Sequence, residues 1–142
     1  GAGADGRPNG VYSAIVENNW GHHRFPRARV EPGITRVDIS RLAEDSYQCS
    51  EVWTSNERNL GVFKLSLGSG LLYLYYRDDA QLAPKWYLTA VDFATGATVY
   101  RALAGSGVGY NNWAGALFLH PEGAIAYSTT IFGLVMVRDI GP

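Results

Sequence analysis

Sulfur is scarce in this chain, with one cysteine, Cys49, and one methionine, Met136, among 142 residues. A lone cysteine excludes an internal disulfide and with it every scaffold stapled by such bonds. Cys49 lies in a strand-like run, where a small buried hydrophobe is expected rather than a reactive thiol. Charge is scarce too: charged residues make up 18% and the formal net charge is −1. A loose basic cluster, His22-His23-Arg24 and Arg27-Ala28-Arg29, is balanced by acidic residues elsewhere. Phosphate backbones demand a basic surplus, so nucleic acid is not an expected partner. No run approaches the roughly 18 apolar residues of a membrane-spanning helix. Helix signals are nearly missing; only 40–45 has the pattern, and it is long enough for one turn. An initiator methionine and a signal-peptide pattern are also absent, so a processed product or fragment is expected, with 1–10 a flexible N-terminal loop or cloning remnant. The compartment stays open, a secreted or periplasmic one being among the expectations.

What is present favours β structure. Hydrophobic residues reach 46%, with nine Tyr, four Trp and 17 Gly. Rigid aromatics between frequent glycine turns suit a many-stranded protein, and the length suits one domain. Alternating or β-branched runs predict strands at 11–17, 34–39, 48–54, 63–67, 71–76, 86–92, 98–103, 115–119, 124–130 and 134–139. The run at 71–76 is nearly all apolar, as in a strand buried on both faces.

These strands repeat. Three of them end on aspartate, at Asp38, Asp92 and Asp139, spaced by 54 and 47 residues. Four-stranded propeller blades recur at roughly 40 to 50 residues. Taking each aspartate as the end of a third strand predicts an all-β fold of β-propeller blades, each of four antiparallel strands. The chain then holds about two and a half blades, at about 11–56, 61–104 and 113–140, with strands divided three, four and three. Such an incomplete ring within 11–142 leaves flanks bare, and the expected partner is the remaining propeller strands, from another chain, an N-terminal portion or copies of this one.

The segment Ala90-Val91-Asp92-Phe93-Ala94-Thr95-Gly96-Ala97-Thr98-Val99-Tyr100 resembles the repeat of the pyrroloquinoline-quinone-like propellers, Ala-x-Asp-x-x-Thr-Gly followed by a tryptophan. Tyr100 stands one place from the usual spacing of that aromatic. In the turn, Asp92 is expected as the cap and Gly96 at positive φ. More broadly, Val16-Glu17-Asn18-Asn19, 33–38, 84–92 and 107–112 resemble the C-terminal part of uncharacterised bacterial propellers of this kind. The quinone-dependent members add adjacent cysteines, a catalytic aspartate and calcium. Adjacent cysteines do not occur here, so the resemblance implies the fold without the quinone cofactor.

The strongest local signal is a doubled Asn-Asn-Trp, at Asn18-Asn19-Trp20 after Glu17 and at Asn111-Asn112-Trp113. Carboxamide and carboxylate oxygens are hard ligands, so Glu17, Asn18 and Asn111 are candidates for a shared calcium. Similar side chains hold calcium in gluconolactonase-like propellers. Asn19, Trp20, Asn112 and Trp113 are the matching ligand-binding candidates. The competing reading has the asparagines satisfying loop backbone while the tryptophans pack between blades. His22 and His23 are adjacent and cannot share a metal from a strand, and His120 reads as a loop residue. The glycine-rich 105–109 mimics a phosphate loop but has no following helix, and Arg77-Asp78-Asp79 reads as a solvated loop. No nucleophile elbow occurs.

The sequence therefore predicts a propeller segment that completes its ring with other strands and serves as a ligand-binding scaffold. The alternative is a propeller-type enzyme, lactonase-like or another hydrolase, with calcium or a polar site at the central channel.

Overall fold

The computed structural model describes residues 11–17, 33–78, 82–113, 115–121 and 125–138. Three antiparallel sheets follow one another along the chain. The first holds β1 (Val11–Glu17), β2 (Ile34–Ala43) and β3 (Ser46–Ser55). The middle sheet holds β4 (Lys64–Ser66), β5 (Leu71–Arg77), β6 (Lys85–Asp92) and β7 (Thr98–Ser106). The third holds β8 (Leu117–Leu119), β9 (Ile125–Thr130) and β10 (Gly133–Arg138). Within each sheet the strands pair with their sequence neighbours, so the fold is all-β, with the expected three, four and three strands among the described residues.

Two expectations fail locally. The one-turn helix at 40–45 is instead the end of β2, where Ser40 pairs with Gln48 and Ala43 with Ser46. Arg41 clamps the hairpin by donating to the carbonyls of Ala43 and Glu44, both at 3.1 Å. Ladder pairing satisfies this backbone better than one unsupported helical turn. Cys49 is exposed, not buried. It pairs with Ile39 on β3, an edge strand that is exposed along most of its length and buries Trp53.

The middle sheet organises the rest, because its side chains alternate between two apolar faces. Leu72 and Leu74 on β5 and Val91 on β6 face the first sheet. There they pack with Ile34 and Trp53, flanked by Ile15, Phe63 and Leu65. Tyr75, Trp86 and Leu88 point the other way and pack with Leu117 and Ala126 of the third sheet, with Leu119 and Val137 beside them. Tyr75 and Trp86 stack with centroids 5.6 Å apart. Their polar ends remain satisfied, the Tyr75 hydroxyl donating to the Tyr110 carbonyl and the Trp86 indole to that of Gly107, each at 2.9 Å. Burial, and then the neighbouring Tyr110, push the Tyr75 hydroxyl pKa well above the ordinary phenol value.

Each cover is fastened differently. On the first-sheet side, the Phe93 carbonyl accepts both the Trp53 indole N–H and an Arg36 N–H at 3.0 Å. The Arg36 guanidinium also lies 4.4 Å from the Phe93 ring centroid. The turn presenting Phe93 has the form expected from its sequence. Asp92 Oδ1 accepts from the Thr95 backbone N–H at 2.7 Å and its hydroxyl at 2.8 Å, and Gly96 sits at φ 76°. On the other side, Val62 and Ala116 form a parallel bridge between the segments leading into β4 and β8.

Register relates the middle and third sheets. Lys64, Tyr73 and Ala90 lie abreast across β4, β5 and β6, as Phe118, Tyr127 and Met136 do across β8, β9 and β10. Met136 thus holds Ala90's place, and Arg138 rather than Asp139 holds that of Asp92. Asp139 itself lies outside the described residues.

A methyl group on Gly96 would fall 2.7 Å from Trp53 Cδ2, in a backbone conformation that side chains disfavour. Gly96→Ala should therefore lower stability by roughly 1–3 kcal/mol. Gly68→Ala, with nothing within 4 Å of the added methyl, should change it little. Urea unfolding of both variants checks this; equal losses would contradict the Trp53 contact.

Candidate functional site

Of the doubled Asn-Asn-Trp, only the second copy falls among the described residues. Asn18, Asn19 and Trp20 lie outside them, as do His22 and His23. For Glu17 the described part is the backbone, paired with Ile34 at the end of β1. The proposed calcium group of Glu17, Asn18 and Asn111 is therefore represented by Asn111 alone.

Asn111 follows a single 3-10 turn, Val108–Tyr110, and works mainly on local backbone. Its Oδ1 accepts the Trp113 N–H at 2.8 Å and its carbonyl accepts the Ile131 N–H at 2.9 Å. Asn112 is buried; its Nδ2 donates to the Gly115 carbonyl at 3.3 Å, and its Oδ1 has no partner among the described residues. The loop is thereby tied to the β9–β10 turn, as expected for asparagines that satisfy backbone. Trp113 departs from that reading. At φ 52° and 77% exposure it stands away from the sheets instead of packing between them. Asn112 and Trp113 share one loop, one buried and one projecting.

The phosphate-loop mimic is a packing device. Side chains at Gly105 and Gly109 would collide with the rings of Tyr110 and Phe132, so these glycines admit aromatic rings against backbone. Gly107 lies at φ 96°, its N–H bonded to the Pro84 carbonyl at 2.8 Å. His120 closes the other end of the third sheet, donating its backbone N–H to the Ile125 carbonyl. Among the described residues, no three His, Cys, Asp or Glu side chains gather at metal-binding distance.

Among the described residues, two clefts flank the middle sheet. The larger, about 550 Å³, separates the middle and third sheets and is lined by Leu71, Leu88, Ala102, Leu119 and Val137, with Arg138 at its edge. The smaller, about 230 Å³, is the more polar in its side chains and was not foreseen. One wall is 56–58, the start of the segment that crosses from β3 to β4. That segment is pinned because β4 is short and pairs only with 71–73, leaving the Tyr75 backbone open. Asn59 Oδ1 accepts the Tyr75 N–H at 3.0 Å, and the Leu60 N–H donates to the Tyr75 carbonyl at 2.9 Å. Beneath lie Tyr76, Tyr87, Thr89 and Arg101 of the middle sheet, with Arg77 at the rim. Arg77, expected in a solvated loop, ends β5 and lines this cleft. Local pattern could not reveal the site, since its walls come from residues more than 40 positions apart.

Compared with known proteins, the chain matches no protein-family model, no curated protein and no solved structure.

Hydrogen bonds from Arg36 and Ser13 hold the Asp38 carboxyl below its ordinary pKa, and those from Thr95 do the same for Asp92. A carboxyl with a depressed folded pKa stabilises the fold above the unfolded value, and that contribution fades as pH falls through the folded value. Stability should thus fall as pH drops below about 3.8. Asp92→Asn should lose less stability over that interval than the parent chain. Urea midpoints at several acidic pH values check this; parallel curves would contradict it.

Proposed function

We propose that this chain is a wedge of a β-propeller whose ring is finished by further sheets, and that the assembly serves as a ligand-binding scaffold. One observation carries the reading: a sheet face buried in one place stands bare at the equivalent place. The middle sheet's Lys64–Tyr73–Ala90 face is covered by the third sheet. The register-equivalent face of the third sheet carries Phe118 stacked on Tyr127, with Leu134 at 63% and Met136 at 62% exposure. Apolar patches of this kind on otherwise polar proteins mark association surfaces.

Four further features support it. Each sheet is an up-and-down meander, the sheets stack face to face in chain order, and the segments leading into β4 and β8 meet in a parallel bridge. The Asp92–Gly96 turn follows the quinoprotein-type repeat and receives Trp53 from the preceding sheet. Binding, rather than chemistry, is the reading favoured, because Asn111 spends its side-chain oxygen on the loop it belongs to.

Solution mass by light scattering tests the wedge. The isolated chain should exceed 15.5 kDa and bind a hydrophobic dye. The double variant Leu134→Glu, Met136→Glu should reduce both properties. A 15.5 kDa monomer that leaves the dye unbound would overturn the proposal.

A further inference from the structure

We propose that the larger cleft, between the middle and third sheets, is a binding site for a small, neutral, flat aromatic molecule. The proposal goes beyond ring assembly and stands whether or not further sheets join this chain. Strand alternation gives the cleft two apolar walls. Leu71 and Tyr73 lie on the same face of β5 as the inward-pointing Tyr75. Leu88, two places from Trp86 on β6, has Ala102 beside it on β7, and Tyr100 stands one alternation away on that strand. Across the cleft, Leu119, Ala126 and Val137 lie abreast on β8, β9 and β10, on the face where Leu117 is buried.

These facing walls are sealed at one end and open at the other. Tyr75, Trp86 and Leu117 are each no more than 2% exposed. Tyr73, Leu119 and Val137 point into the same interface and are only partly buried. Leu88 and Ala126 form the buried floor, and Ala102 and Ala126 add little side-chain volume to fill the space between sheets. A guest with apolar surface completes the burial of both walls. Polar residues stand at the mouth: Ser66 ends β4, Ser69 is in the turn after it, His120 follows β8 and Arg138 ends β10. That division fits a ligand with an apolar body and one hydroxyl turned outward. An ionised group would give up its hydration against leucine, alanine and valine side chains, which excludes it from the floor. Tyr73 and Tyr100 favour an aromatic body. Their rings stand edge-to-face with centroids 6.5 Å apart, and they offer both an edge and a face to a third ring. The volume, about 550 Å³, is in the range of small-ligand sites and admits a fused-ring molecule.

The test is calorimetric titration of the full chain with 2-naphthol, with charged 2-naphthoate and saturated decahydro-2-naphthol as matched controls. 2-Naphthol should bind saturably with Kd below about 1 mM, and both controls at least about tenfold more weakly. Ala102→Leu, which fills the cleft from the half-buried β7 wall, should weaken 2-naphthol binding at least about tenfold with thermal unfolding unchanged. Tyr100→Leu, at a position 41% exposed, should weaken 2-naphthol and leave the decahydro control unchanged, and it serves where the first variant is unstable. Leu134→Glu with Met136→Glu, on the far face of the third sheet, should leave 2-naphthol binding as it is. Loss of binding in that double variant with thermal unfolding unchanged would overturn the proposal. So would unchanged affinity in both cleft variants, equal binding of all the compounds, or no saturable heat. A 15.5 kDa monomer that leaves the hydrophobic dye unbound yet binds 2-naphthol would overturn ring assembly and uphold the cleft.

Discussion

A four-stranded sheet with two apolar faces cannot be stable unless both are covered, and that constraint sets the arrangement of this molecule. Leu72, Leu74 and Val91 on one side, and Tyr75, Trp86 and Leu88 on the other, are each no more than 2% exposed. Burying such a side chain contributes about 1.5–3 kcal/mol. Net stabilities of domains are only about 5–15 kcal/mol, so neither cover is dispensable. The first and third sheets are needed for the fold itself.

The covers are held by directional contacts as well as by area. The Phe93 carbonyl takes two donors from the first sheet, from Trp53 and Arg36, and both come from its inward face. On the opposite side the polar ends of Tyr75 and Trp86 reach the carbonyls of Tyr110 and Gly107, in the segment that leads toward the third sheet. Large aromatics are thus buried without orphaned polar atoms, which fixes sheet position more narrowly than hydrophobic contact alone. The same logic accounts for the smaller cleft. A short β4 leaves the Tyr75 backbone open, Asn59 and Leu60 fill the vacancy, and the crossing segment stands off from the sheet just beyond them.

Much of this was legible in the sequence because it is local. Strands show as alternation, and the Asp92–Gly96 turn shows through a capping aspartate and a glycine placed where φ is positive. The division into three, four and three strands followed from repeat spacing. What escaped is nonlocal. Cys49 reads as buried in a strand-like run, yet it is exposed among the described residues. Trp113 reads as a packing residue, but its left-handed backbone turns it outward. The arginine-lined cleft joins Glu57 to Arg101, a pairing that no motif records. Each miss depends on the backbone path or on distant neighbours, and the residue itself does not encode either.

The central claim is that the doubly covered middle sheet is the most stable part of the protein. Residue-resolved amide hydrogen exchange measures this directly. Exchange should be slowest at Leu72, Leu74, Leu88 and Ala90, with β1 and β10 amides exchanging at least about tenfold faster. Protection spread evenly over all three sheets, or a first sheet that outlasts β5 and β6, would contradict it.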